Sequence, residues 1–126
     1  MIIKVVHWIF GLLFLWSAAL QYNDPDFYVW LPYFAFAGFV AILCGCGMRC
    51  QSLVWMVLGA ACIFLLQSIP GVSDFVKNDD GNTWTRPMSN DYPYMEVARE
   101  FGGAVITAVW CLFAILTAPR IAKAET

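Results

Sequence analysis

Residues 2–47 read IIKVVHWIFGLLFLWSAALQYNDPDFYVWLPYFAFAGFVAILCGCG, and this stretch decides the fold. Two long apolar runs flank the short segment Gln21-Tyr22-Asn23-Asp24-Pro25-Asp26. A helix rises about 1.5 Å per residue, so roughly 20 apolar residues cross about 30 Å of hydrocarbon. The runs at about 2–20 and 27–47 meet that requirement. A third run follows at about 53–69 and a fourth at about 101–118, whose helix is expected to start near 95. The reading is an all-α, four-helix transmembrane bundle, with residues 1–126 forming one membrane domain.

Composition supports lipid as the solvent. The chain is 61% hydrophobic and 13% charged, against about 45–50% and roughly 25% for a soluble domain. A soluble fold of 126 residues could not bury so much apolar surface. The pI near 5.1 argues against nucleic acid as a partner, which calls for a basic stripe. The first run also has features of a cleavable signal sequence: Lys4, an apolar core and the small residues Ser17, Ala18 and Ala19. Its length, with Trp8 and Trp16 inside it, favours a retained helix. Trp8, Tyr22, Tyr28, Trp30, Tyr33, Tyr92 and Tyr94 lie near segment ends, where an aromatic belt is expected.

Orientation follows from Lys and Arg. With both termini inside, Lys4, Arg49, Arg120 and Lys123 face the cytoplasm, while Lys77, Arg86 and Arg99 lie at the outer end. The expected topology is therefore N-in, C-in, in the bacterial inner membrane. Acidic residues follow the same asymmetry: Asp24, Asp26, Asp74, Asp79, Asp80, Asp91, Glu96 and Glu100 flank the outer ends, and only Glu125 lies in the tail. Residues 70–94 hold a turn-forming mix that includes Pro70, Gly71, Gly81, Pro87 and Pro93, and read as a long outer loop.

Three constellations could carry chemistry. In the first, Asp24 can cap the second helix, with Pro25 at its first position and Asp26 in its first turn. Alternatively, Asn23, Asp24 and Asp26 converge on a hard cation, for which oxygen ligands suit calcium or magnesium. In the second, Glu96, Arg99 and Glu100 share one face of a helix start. This is either an interfacial salt bridge or part of a ligand site. Glu100 falls at the edge of the hydrocarbon, where a charge costs less than at its centre. Close behind, Gly102, Gly103 and Thr107 let a neighbouring helix approach, which brings the helix start toward the Asn23–Asp26 turn. The candidate ligand set is Asn23, Asp24, Asp26, Glu96, Arg99 and Glu100, with Asp24, Asp26 and Glu100 as the metal ligands.

The third constellation, Cys44, Cys46, Met48 and Cys50, offers soft donors that suit copper(I), or thiols open to acylation. Packing of small side chains beside glycine is the competing reading, and the five cysteines are expected to be reduced. His7, the sole histidine, is expected to anchor the first helix at the interface. Pro32 is expected to kink the second helix and to face the bundle. No phosphate loop, nucleophile elbow or metalloprotease motif occurs, and no charge lies near the middle of a span, which disfavours transport.

The turn Gln21–Asp26 with Trp30, followed by Met95-Glu96-Val97-Ala98-Arg99-Glu100-Phe101-Gly102-Gly103, resembles the transmembrane protein 220 family. The resemblance covers nearly the whole chain and implies a four-span bundle; it implies no particular reaction or cofactor. The functional expectation is a non-enzymatic membrane protein that binds a cation or polar headgroup in an acidic outer pocket. Two other classes stay open: a membrane enzyme acting on a lipid-like substrate, and a structural subunit that packs on a partner membrane protein or on a second copy.

Overall fold

A computed structural model describes residues 1–78 and 93–124. Among them every regular element is helical: α1 (Ile2–Leu20), α2 (Phe27–Gly45), α3 (Gln51–Asn78) and α4 (Pro93–Ala124), with a short 3₁₀ turn at Gln21–Asn23. All four helices are long and apolar enough to cross a membrane. Their outward faces carry Leu12, Trp16, Phe39, Trp55, Leu66, Val109 and Leu116, all exposed. Such a shell suits hydrocarbon, where no water penalises it.

The chain runs up and down as two antiparallel hairpins. Helix α1 packs mainly on α2, and α3 on α4, while contact between the hairpins is sparser. Close approach within the first hairpin depends on missing side chains. A Cβ on Gly38 would lie 2.9 Å from Leu15 Cγ and 3.0 Å from the Gly11 carbonyl oxygen. One on Gly45 would meet Trp8. In lipid, where hydrocarbon competes equally for apolar side chains, backbone proximity of this kind holds helices together. The second hairpin uses Gly71, whose position for a Cβ is already filled by Val97.

The core lies along the bundle axis: Phe14, Phe34, Val40, Val54, Val57 and Trp110. An aromatic stack ties the hairpins together. Phe64 of α3 meets Trp30 of α2 at 4.6 Å and Tyr33 of α2 at 4.9 Å between ring centroids. Trp30 and Tyr33 are thus interior residues rather than members of an interfacial belt; Trp8, Tyr22 and Tyr28 are exposed, and Tyr92 and the side chain of Tyr94 lie outside the described residues.

Three further expectations change. Pro32 faces outward, not into the bundle. Helix α3 does not stop near residue 69; it continues through Pro70 to Asn78, about 42 Å in all, longer than the hydrocarbon is thick. The first part of the expected outer loop is therefore a helical extension, held against α4 where Gly71 meets Val97. The rest of that loop, residues 79–92, lies outside the described residues. Helix α4 opens on Pro93, a residue whose missing N–H costs nothing at the first helical position.

Helix α2 ends in a Schellman turn. Gly47 adopts φ 85°, the left-handed region that glycine enters without steric penalty. Its N–H donates to the Cys44 carbonyl at 3.0 Å, and the Met48 N–H donates to the Leu43 carbonyl at 3.0 Å. This reversal brings Cys50, just before α3, back beside Cys44.

Candidate functional site

At the end of the bundle that carries the α1–α2 turn, three carboxylates converge. One oxygen each from Asp24, Asp26 and Glu100 lie within 4.8 Å of one another. The backbone explains how. The 3₁₀ turn closes with the Asp24 N–H donating to the Gln21 carbonyl, and Asp24 then turns extended at ψ 140°. That kink aims its side chain inward, leaving the residue 5% exposed with both carboxylate oxygens buried.

The capping reading of this segment is corrected. Helix α2 starts after Asp26, so Asp26 and not Asp24 stands at its N-cap, and the Asp26 carboxylate makes no capping hydrogen bond. The Asp26 carbonyl, not its carboxylate, accepts from Val29 at 3.0 Å.

Glu100 arrives from α4, seven positions inside Pro93, and is half-buried beside half-buried Arg99. Its placement follows from Gly103 one turn on. A Cβ there would lie 2.7 Å from Phe34 Cζ, so the bare backbone is what lets α4 settle on α2. Thr107 completes the seam. It is fully buried, and its hydroxyl donates to the Gly103 carbonyl at 2.8 Å. Gly102 is half-buried at the same level. Asn23 is exposed on the 3₁₀ turn. The side chain of Glu96 lies outside the described residues.

Oxygens arranged in this way suit a hard cation. Calcium takes oxygen ligands at about 2.3–2.6 Å, so two ligands across the ion stand up to about 5 Å apart. Magnesium at about 2.0–2.1 Å would require the three to draw in.

With this geometry in view, the family model described as Transmembrane family 220, helix, matches residues 13–116. The chain belongs to that family. Both the α1–α2 turn and the start of the fourth span fall inside the matched stretch, so the converging carboxylates sit in the part of the chain that transmembrane family 220 describes. No curated protein and no solved structure matches the chain.

The opposite end of the bundle differs from expectation most at His7. It is not an interfacial anchor. It is 1% exposed, and its Nδ1 accepts a hydrogen bond at 3.1 Å from the Trp110 indole N–H. Phe113 lies 5.3 Å from the imidazole between ring centroids. The sequence signal was an intramembrane histidine; what hid the contact was its partner, 103 positions away on another helix. Of the cysteine cluster, Cys44 and Cys50 are buried with their sulfurs 2.8 Å apart, whereas Cys46 is exposed. All five cysteines are free thiols.

Proposed function

We propose that the α1–α2 end of this integral membrane protein binds a divalent cation, or a polar headgroup bridged through one. Asp24, Asp26 and Glu100 are the acceptors, and Arg99 balances the charge or meets a headgroup phosphate. The supporting observation is the approach of three carboxylate oxygens from two hairpins to within 4.8 Å, one of them on a nearly buried aspartate. Like charges so placed repel, and a bound cation removes the repulsion.

On this reading the protein spans a bacterial cytoplasmic membrane with both termini in the cytoplasm, and the site opens on the opposite side. Reporter fusions test the orientation. A periplasm-active reporter joined after residue 24 is expected to be active, and the same reporter after residue 126 inactive. The reverse pattern overturns the orientation.

Thermal unfolding of the detergent-purified protein tests the ligand. Calcium is expected to raise Tm by several degrees, reversibly with chelator, and by more than magnesium does. A ligand at 100 times its Kd stabilises by about 2.7 kcal/mol. Asp24→Asn and Glu100→Gln are expected to remove the shift while the helical circular dichroism persists. An absent shift in the unaltered protein, or an equal one in both variants, refutes the site.

A further inference from the structure

A second site lies at the other end of the bundle, and nothing in the cation reading bears on it. A cavity of about 360 Å³ opens where α1 begins, α2 ends, α3 begins and α4 ends. That volume is within the range of small-molecule sites, about 300–1,000 Å³. Its wall is mostly apolar, with Val54, Ala114 and Ile115 among its residues. His7, Cys44 and Cys50 line it too.

The hydrogen bond to His7 fixes what the imidazole can offer. Trp110 has only an N–H to give, so Nδ1 must present its lone pair. The neutral ring then carries its proton on Nε2. That nitrogen is buried and has no hydrogen-bond partner among the described residues. In this tautomer it is a donor and not a metal ligand. A buried donor without an acceptor is costly; His7 lines the cavity, and an occupant whose carbonyl oxygen displaced the atoms now covering Nε2 would satisfy it.

The two sulfurs add a second requirement. At 2.8 Å they need to close only to about 2.05 Å to bond. The Schellman turn at Gly47 holds them face to face at the joint between α2 and α3. A neighbouring pair of thiols is a two-electron, two-proton donor. The matching occupant is apolar enough to enter from lipid, bears a carbonyl for Nε2–H, and accepts two electrons. A quinone has all three properties.

We propose that this cavity binds a lipid-soluble quinone and that Cys44 and Cys50 reduce it. The two S–H bonds break and one S–S bond forms. The two protons and two electrons pass to the carbonyl oxygens and ring, giving the hydroquinone. His7 is a positioning residue that holds one carbonyl beside the sulfurs.

The test uses the full-length protein, reduced, desalted and kept anaerobic in detergent, with duroquinone as the probe. Its ring is fully substituted, so thiol addition to a free ring position is blocked. The expected result is one hydroquinone per chain, a loss of 2 Da and of two alkylatable thiols, with peptide mapping joining residue 44 to residue 50. Cys44→Ala and Cys50→Ala are each expected to abolish it; Cys46→Ala and Cys62→Ala are not. His7→Phe is expected to slow oxidation by duroquinone at least tenfold, yet leave oxidation by diamide, a small thiol oxidant, unchanged. The proposal is overturned if duroquinone leaves all five thiols intact while diamide joins the pair, if neither oxidant joins it, or if His7→Phe slows both equally.

Discussion

Trp110→Ala is expected to lower the unfolding free energy by about 3 kcal/mol, the lower end of the range for large aromatic truncations in cores. Trp110 is fully buried and meets Phe14 at 5.7 Å between ring centroids. In lipid the loss comes mainly from dispersion contacts and the void left behind, because hydrocarbon is as apolar as the core. A separate part comes from His7, whose Nδ1 would lose the indole N–H that donates to it at 3.1 Å. Trp110→Phe separates the two. It keeps most of the ring and removes the N–H, so a cost of about 1–3 kcal/mol is expected from the stranded acceptor alone. Reversible SDS titration in mixed micelles, followed by far-ultraviolet circular dichroism, measures both. Equal stability of Trp110→Phe and the unaltered protein would mean that the indole–imidazole bond contributes nothing.

Gly38→Leu is the second large effect. The added Cβ alone would stand 3.0 Å from the Gly11 carbonyl oxygen, a backbone atom that cannot swing aside. Helix α1 must therefore move off α2 along their shared seam. Overpacking of this kind costs about 1–3 kcal/mol, and more when backbone has to shift. Gly59→Leu is the control. Gly59 is exposed, and nothing lies within 4 Å of its Cβ position. The same titration is expected to place Gly38→Leu well below the unaltered protein and Gly59→Leu close to it. Matching losses would show that glycine matters here through helix propensity and not through helix approach.

The membrane fold was legible because apolar length is a local property. The run from Ile2 to Leu20 announces a span by itself, and α1 occupies those residues. The converging carboxylates were legible for a different reason. An up-and-down path puts the Asp24 turn and the start of α4 at one end, and Gly103 explains the close approach of α4 to Phe34. What sequence could not show was direction around a helix axis. Helix α2 is apolar on all sides, so nothing in its pattern distinguished inward Trp30 and Tyr33 from outward Pro32. His7 and Trp110 were obscured similarly, since each sits in a run of apolar neighbours. The extension of α3 through Pro70 and Gly71 was hidden because both residues ordinarily break helices. Val97 seated over Gly71 supplies tertiary support that composition does not record.

The two-hairpin arrangement has a consequence for biosynthesis. The seam between α1 and α2 uses only residues 2–45, so a nascent chain can complete it before the third span leaves the ribosome. The groups at both ends of the molecule are different in kind: Asp24 and Asp26 need Glu100, and His7 needs Trp110. Neither end is finished until the later half is inserted and docks. An early truncation would therefore leave a well-threaded but functionally blank half, and any motion that parts the halves would disassemble both extremities at once.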